Sequence, residues 1–240
     1  MSEAPIGKRA ANRERTRTDL AAAAMELFDE RGFDDTTVDE IAAVAGVSRR
    51  TLFRHFPTKA DIVFADHPDR IVRLDQFLHA AGAERRLLDV VLDSAVATIP
   101  SFVDPADFYL RRHRLLKRTP ELRYREQAYG LQYTRVLARY LRPRLARLGL
   151  DDDVDILSDA LSASIVTVVN RAQRVWAASE GEIDAEAVTV DGVEILRRAF
   201  GPIIHPRDPN PGAGTVIVMN ADGSSSPDVV RRLQSILDRA

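Results

Sequence analysis

The sequence predicts an all-α protein in which a small N-terminal helical domain precedes a larger helical bundle. Apolar residues recur at helical spacing over most of residues 13–202, and capping residues, glycines and prolines divide this length into segments of ordinary helical size. Hydrophobic residues make up 45% of the 240-residue chain, which is enough for a sizeable core. A strand-like run occurs in the C-terminal tail, over 215–220.

The segments 13–31, 37–45 and 48–55 are predicted to be three helices joined by short connections. Gly46 lies in the second connection, where a residue without a Cβ adopts a tight turn at no steric cost. Pro57 ends the third helix because it disfavours helical backbone in the residue before it. A longer helix followed by two short helices around a tight turn is typical of a helix-turn-helix domain.

Side-chain caps are expected at the start of both short helices. Thr36 is placed to cap the first of them, with Asp39 three residues further on. Ser48 is placed to cap the second, with Thr51 three residues further on. The apolar side of the first short helix is predicted to consist of Ile41, Val44 and Ala45.

The second short helix is predicted to have an apolar back and a basic front. Leu52 and Phe56 are four residues apart and point inward, which leaves the polar side chains on other faces. These polar side chains belong to Arg49, Arg50, Thr51 and His55. Such a helix suits the major groove of DNA, where Arg can bind guanine with two hydrogen bonds and Thr can contact a thymine methyl group or a phosphate.

The charge distribution favours a local DNA-binding face, although the whole chain carries a net charge of −2. Residues 49–59 contain four basic and no acidic side chains, and a second basic cluster lies near the N-terminus. The first cluster is Arg49, Arg50, Arg54 and Lys59, and the second is Lys8, Arg9, Arg13, Arg15 and Arg17. In the second cluster, Arg13, Arg15 and Arg17 could reach a phosphate or the minor groove, or could simply be solvated.

The run Thr37-Val38-x-x-Ile41-Ala42-x-x-Ala45-Gly46-Val47-Ser48-x-x-Thr51-Leu52-Phe53-x-x-Phe56-x-x-Lys59 resembles the tetracycline-repressor (TetR) family of bacterial transcription regulators. The resemblance covers about residues 13–64, and the remaining chain is similar to the family in helical pattern alone. It implies phosphate contacts by Thr37, His55 and Lys59. Phe53 stands where many members carry Tyr, so a contact by that hydroxyl is absent. The complete predicted DNA-binding set is Thr37, Ser48, Arg49, Arg50, Thr51, Phe53, Arg54, His55 and Lys59.

Four parts are predicted along the chain: a flexible basic arm (1–12), the helix-turn-helix domain (13–57), a ligand-binding and dimerisation domain (58–202) and a C-terminal extension (203–240). Because one head makes few contacts, a homodimer on a pseudo-palindromic operator in double-stranded DNA is expected. Helices over about 156–178 and 184–200 are predicted to form the dimer interface, since the first of them is apolar on nearly all sides.

Further helices are expected in the third part. A helix that opens at Thr58 should be interrupted at His67-Pro68 and resume to about Ala80. The others are predicted from Leu87 to near Pro100, from Pro105, and from Thr119-Pro120 to Gly149. In the extension, the 215–220 run would need a strand partner, for which the tail of a second subunit is one candidate, and a short helix would follow. A disordered tail is the alternative.

Aromatic residues at helical spacing are together candidates for the lining of an apolar effector cavity, although core packing is the better interpretation of any one of them. They are Phe64, Phe77, Phe102, Phe108, Tyr124, Tyr129, Tyr133 and Trp176. A cluster of Arg111, Arg112, His113, Arg114, Lys117, Arg118, Arg123 and Arg125 is either a solvated face or the mouth of a site for a phosphorylated or carboxylated effector.

The runs 49–64 and 114–123 also resemble a TetR subgroup with an acyl-CoA-like ligand domain. This resemblance implies a repressor that is released by a small apolar or amphipathic effector. An activator, a ligand-independent regulator, or a helical ligand carrier or enzyme are the alternatives.

The sequence offers little support for an enzyme. There is no cysteine, which excludes disulfides and thiolate metal sites, and the five histidines show no HExxH spacing. Asp75 and His79 could share a metal, but a surface pair four residues apart is the simpler interpretation. No catalytic residue, metal or cofactor is therefore predicted. No apolar run approaches the ~18 residues of a membrane span, and a cytoplasmic protein without membrane contacts is expected.

Overall fold

The computed structural model describes residues 5–82, 84–103, 106–150 and 153–205, with side chains except at 5–11, 101 and 103. These residues form eleven helices and no strand, so the prediction of an all-α protein is confirmed for them. In chain order the helices are α1 (Pro5–Arg31), α2 (Val38–Val44), α3 (Arg49–His55), α4 (Lys59–Val63), α5 (His67–Ala80), α6 (Leu87–Ala97), α7 (Pro100–Val103), α8 (Ala106–Arg118), α9 (Pro120–Arg147), α10 (Val154–Ala178) and α11 (Ala185–Ile204). The strand and closing helix predicted for the tail lie outside the described residues.

The first helix differs from its prediction at the N-terminal end. α1 begins at Pro5, so residues 5–12 are helical and do not form the flexible arm that was predicted. Proline is well suited to the first position of a helix, and the Lys-Arg-Ala-Ala run over 8–11 consists of strong helix formers. These local preferences outweigh the polarity that suggested an arm.

The chain divides into two compact units. The head unit contains Met1–Pro68 and Pro105–Ala128, and the bundle unit contains Asp69–Asp104 and Tyr129–Ala240. The head unit therefore includes α4, α8 and the start of α9 in addition to the three predicted helices. Among the described residues, no helix is long and apolar enough to cross a membrane.

In the head unit, α1 packs against α2, α4 and α8, and α2 packs against α3. The predicted inward side chains Leu52 and Phe56 are buried, together with Leu20, Phe28 and Ile41. This core fixes the three N-terminal helices in the arrangement that the apolar spacing predicts. It leaves the polar sides of α2 and α3 at the surface.

In the bundle unit, α10 packs against α11 and α6, and α11 packs against α6. Leu157, Leu161 and Ile165 of α10 belong to its core. At Gly192 of α11 an added Cβ would lie only 2.7 Å from the side chain of Val168, so glycine permits the two helices to approach closely. The helices predicted over 156–178 and 184–200 are thus present, and α11 continues four residues beyond its predicted end.

Candidate nucleic-acid interface

α2 starts with a capping box that is one residue away from its predicted position. Thr37 is the N-cap: its hydroxyl accepts a hydrogen bond from the Glu40 backbone at 3.2 Å, and Glu40 Oε2 accepts one from the Thr37 backbone at 2.8 Å. This backbone hydrogen bond from Thr37 lowers the pKa of Glu40. The predicted cap by Thr36 with Asp39 is wrong, because Thr36 is buried and donates to the carbonyl of Gly32 at 2.8 Å.

The turn and the start of α3 agree with the prediction. Gly46 has φ +66°, the left-handed backbone for which glycine is favoured. Ser48 caps α3, since its hydroxyl accepts a hydrogen bond from the Thr51 backbone at 3.1 Å. Leu52 and Phe56 are buried as predicted, which fixes the roll of α3 about its own axis. The side that remains at the surface carries the cations.

The apolar side of α2 is narrower than predicted. Ile41 and Ala42 are buried and Ala45 is half-buried, whereas Val44 is 59% exposed. At 100° per residue, Ile41, Ala42 and Ala45 share one side of the helix and Val44 lies well outside it. The prediction that Val44 belongs to the inward side is therefore wrong, and an apolar side chain lies at the surface next to the turn.

The exposed side of α3 carries three arginines. Arg49 Nη1 lies 2.7 Å from Asp39 Oδ2 of α2, and its guanidinium is 5.4 Å from the centre of the Phe53 ring. Arg50 and Arg54 are exposed, and within the described part of the chain no hydrogen bond or ion pair engages either of them. Two uncompensated cations and one weakly paired cation therefore face the solvent on a single short helix.

His55 is buried rather than on an exposed side of α3 as predicted. It lies next to the inward stripe at the end of the helix, where the α1 residue Arg17 donates to its backbone carbonyl at 3.4 Å. Burial lowers the pKa of His55, and the nearby cations Arg54, Arg13 and Arg17 lower it further. Protonation of the imidazole is thus disfavoured next to the basic face.

Lys59, the first residue of α4, also has partners within the protein. Its Nζ donates to the carbonyls of Phe33 and Thr36 at 2.6 and 2.9 Å, and it lies 4.3 Å from the centre of the Phe33 ring. These carbonyls belong to the connection between α1 and α2. Lys59 therefore stabilises that connection, and the predicted phosphate contact would use its remaining N–H.

The candidate effector-lining residues are divided between the two units. Phe64, Phe108 and Tyr124 belong to the head unit, and Phe77, Phe102, Tyr129, Tyr133 and Trp176 belong to the bundle unit. Phe102 and Trp176 are buried and form an edge contact with ring centres 5.7 Å apart. Tyr124 is 74% exposed, because its neighbour Leu122 occupies the inward side of α9. Tyr124 therefore lines no cavity in the head unit.

The basic cluster between Arg111 and Arg125 is partly neutralised within the protein and partly exposed. Four of its arginines pair with carboxylates of the head unit: Arg111 with Asp107 and Asp29, Arg112 with Asp66, Arg114 with Asp29, and Arg125 with Asp61. Lys117, Arg118 and Arg123 are exposed. Local spacing could reveal only the Arg111–Asp107 pair, because the other carboxylates lie some distance away in the sequence.

The Arg112 pair is the most buried of these. Arg112 Nη1 lies 2.9 Å from Asp66 Oδ1, and only 3% of the arginine side chain is exposed. The guanidinium also lies 4.3 Å from the centre of the Tyr109 ring, and the Tyr109 hydroxyl donates to the other oxygen of Asp66. An aromatic face and a carboxylate together compensate the buried charge.

The residues that could have suggested a metal site form a surface pair instead. His79 Nδ1 lies 3.7 Å from Asp75 Oδ1, and Asp75 also pairs with Arg139 at 2.8 Å. No cluster of three or more potential metal ligands occurs in the part of the chain that the structure describes.

Two capped short helices around a glycine turn, with a buried apolar back and exposed cations in front, define a helix-turn-helix DNA-binding domain. Residues 20–65 match the family model for "Bacterial regulatory proteins, tetR family". The chain is 27% identical over 187 residues to the putative mycofactocin biosynthesis transcriptional regulator MftR of Mycobacterium tuberculosis, covering 78% of this chain and 90% of that protein. It is 29% identical over 191 residues to the transcriptional regulator TcmR of Streptomyces glaucescens, covering 73% and 79%.

A solved structure shares the fold: FadR of Thermus thermophilus, a TetR-family repressor in complex with lauroyl-CoA. It is 24% identical, with 82% of this chain and 99% of that chain covered and a TM-score of 0.54. These similarities support a transcriptional regulator with a TetR-family DNA-binding domain over residues 20–65. This confirms the resemblance that the spacing of residues 37–59 indicated.

Proposed function

We propose that this regulator is a homodimeric repressor that binds a pseudo-palindromic operator through α3 and is released by a small amphipathic effector. The observation that carries the DNA-binding part is the exposed side of α3, where Arg50 and Arg54 have no partner within the described residues. Unpaired cations on a rigid short helix can exchange water for base edges and phosphates at little cost. A protein with this function acts in the cytoplasm.

The proposed contacts follow from position along α3. Arg49, Arg50 and Thr51 are in the first turn, which in this motif meets base edges. Arg49 would exchange its exposed ion pair with Asp39 for a guanine, and the Phe53 ring below its guanidinium would help to orient it. The hydroxyl-bearing caps Ser48 and Thr37 and the cation Arg54 would contact the backbone, whereas His55 and Lys59 mainly hold the domain together.

The dimer is proposed to form through α10 and α11. Val190 and Ile195 of α11 are 40% and 57% exposed, and Val168 and Val169 of α10 are half-buried. Covering such side chains with the same helices of a second subunit would bury apolar surface and form a four-helix bundle. The resulting pair of heads would read two half-sites, which provides the contacts that one head lacks.

The effector is proposed to be an acyl-CoA or a related amphipathic molecule. The support is the sequence resemblance of the runs 49–64 and 114–123 and the likeness of the fold to a repressor solved with lauroyl-CoA. In the basic cluster between Arg111 and Arg125, the exposed Lys117, Arg118 and Arg123 remain available for an anionic head group, since neighbouring arginines are paired with carboxylates.

DNA binding is tested by selecting duplexes from a random pool with the full chain and measuring affinity for the enriched sequence. We expect a pseudo-palindrome that binds two protomers. The double variant Arg49→Ala, Arg50→Ala should weaken operator binding by about 1–3 kcal/mol for each bidentate base contact that is lost. Lys117→Ala with Arg118→Ala removes two exposed cations elsewhere and is the matched control. If both double variants bind equally well, the assignment of α3 is wrong.

Effector release is tested with acyl-CoAs of increasing chain length added to the protein–operator complex. A buried chain gains about 0.8 kcal/mol per methylene, so the concentration needed for release should fall steeply with length until the cavity is full. The head-group contribution should weaken with salt. A response that does not change with chain length would contradict the lipid assignment and leave the DNA-binding proposal intact.

A further inference from the structure

The α1 residue Arg17 makes an unusual set of contacts with the backbone around α3 and α4. Its Nε and Nη2 both donate to the carbonyl of Ala65, at 3.2 and 2.7 Å, and its Nη1 donates to the carbonyl of His55 at 3.4 Å. The guanidinium carbon also lies 4.7 Å from the centre of the Phe56 ring. One side chain thus connects α1 to two other segments of the head unit.

Both carbonyls lie at helix ends. His55 is the last residue of α3, and Ala65 follows the C-terminal end of α4. The carbonyl of His55 is in the last turn of α3 and has no partner within that helix, and cations are favoured beside such carbonyls. Ala65 lies in the connection just beyond α4. The planar guanidinium offers five N–H groups in a fixed geometry, so it can reach both carbonyls at once, which a lysine ammonium matches poorly.

The start of α4, which lies between these two carbonyls in the sequence, is held in place as well. Lys59, at the beginning of α4, donates to the carbonyls of Phe33 and Thr36. The end of α3 and the whole of α4 are therefore fixed to α1 and to the connection that follows it. The orientation of α3 depends on these contacts as well as on its apolar core.

We infer that Arg17 is a positioning residue that orients α3 for sequence recognition and does not itself bind a phosphate. This inference rests on the proposed DNA binding through α3. Its basis is that three of the guanidinium N–H groups are directed at backbone carbonyls, whereas Arg15, two residues away, is 82% exposed and only loosely paired with Asp19 at 3.9 Å. A positioning role and a phosphate contact predict different responses to salt and to sequence.

The test compares Arg17→Met, Arg17→Lys and the control Arg15→Met, each in the full chain. Affinity is measured for the selected operator and for a scrambled duplex over a range of KCl concentrations. A positioning role predicts that Arg17→Met weakens operator binding by about ten-fold while scrambled-duplex binding and the salt slope stay close to wild type. Arg17→Lys should show most of the same loss, because one ammonium cannot replace the fork.

A phosphate contact predicts the opposite pattern. Arg17→Met would then lose affinity for both duplexes to the same extent, and its salt slope would fall by about one per head. Arg17→Lys would bind like wild type. That result would overturn the inference. If wild type does not prefer any selected duplex, the proposed function fails instead, so the two failures are distinguishable.

Thermal unfolding establishes that each variant is folded. If Arg17→Met is unfolded, Arg17→Lys decides by itself: loss of operator preference at an unchanged salt slope supports positioning, and wild-type behaviour contradicts it. Hydrogen exchange of the α3 amides in the free protein provides a second measurement. Faster exchange in Arg17→Lys than in Arg15→Met is expected if the contacts hold α3 in place, and equal exchange would count against the inference.

Discussion

The two arginine-rich segments of the head unit have similar composition and very different surroundings. On α3, Arg50 and Arg54 are exposed without a partner in the described chain, and Arg49 has one exposed carboxylate. On α8 and the start of α9, most of the arginines are paired with carboxylates, and Arg112 is buried. A run of arginines therefore does not reveal by itself whether its charge is available to a ligand.

The difference comes from the residues that pack against each segment. Asp29 of α1, Asp61 of α4 and Asp66 lie beside the second segment and neutralise much of its charge. Among the residues that the structure describes, the exposed side of α3 meets one carboxylate, Asp39, through an ion pair that water screens. The charge of the first segment therefore remains available to a ligand, whereas the charge of the second segment holds α8 and the start of α9 to the rest of the head unit.

The largest expected effect of this difference is on stability. Arg112→Met removes the partner of Asp66 from a buried site and should lower the free energy of unfolding by about 3–5 kcal/mol, measured by urea denaturation. Arg50→Met, at an exposed and unpaired position, should change it by no more than about 0.5 kcal/mol. Equal losses in the two variants would show that the segments do not differ as described.

A smaller effect is expected at the edge of the second segment. Arg111 pairs with Asp107 at 2.9 Å, but 72% of the aspartate side chain is exposed. Arg111→Met should therefore cost less than about 1 kcal/mol, because solvent screens an ion pair of this kind. The loss should shrink further at high salt, whereas the loss for Arg112→Met should persist. Urea denaturation at low and high salt measures the losses of both variants. A loss for Arg111→Met that does not depend on salt would contradict this distinction between an exposed and a buried ion pair.

The sequence was sufficient to predict the features of the head unit that depend on near neighbours. Ser48, Gly46 and the inward pair Leu52 and Phe56 are each defined by spacings of a few residues, and the structure confirms them. The Thr37 cap was misplaced by one residue, because two adjacent threonines fit the same motif. Only the packing under the end of α1 decides which of them is buried.

Features that depend on distant partners could not be predicted in this way. The carboxylates Asp61 and Asp66 are more than forty residues from their arginines, and Ala65 is 48 residues from Arg17. No helical period relates such positions. The placement of Tyr124 failed for another reason: its aromatic character suggested a cavity, but the helix face on which it lies is set by Leu122.

The smallest expected effect is a pH dependence of stability caused by His55, which lies next to the cations of α3. Burial, and then Arg54, Arg13 and Arg17, lower the pKa of His55 below its ordinary value of 6.5. As the pH falls through about 6.5, the unfolded chain therefore takes up a proton before the folded protein does, and stability falls until the lower folded pKa is reached. The contribution of His55 to stability should therefore be constant above about pH 6.5 and smaller at lower pH.

His55→Gln should reduce this loss, because glutamine does not titrate and can occupy a similar volume. Urea denaturation of wild type and variant at about pH 7.5 and about pH 5.5 measures the difference. Part of the loss should remain in the variant, since burial and then Arg86 lower the pKa of His205 as well and produce a dependence of the same sign. An identical pH dependence in both proteins would mean that neither burial nor the nearby cations lower the pKa of His55 in the folded protein.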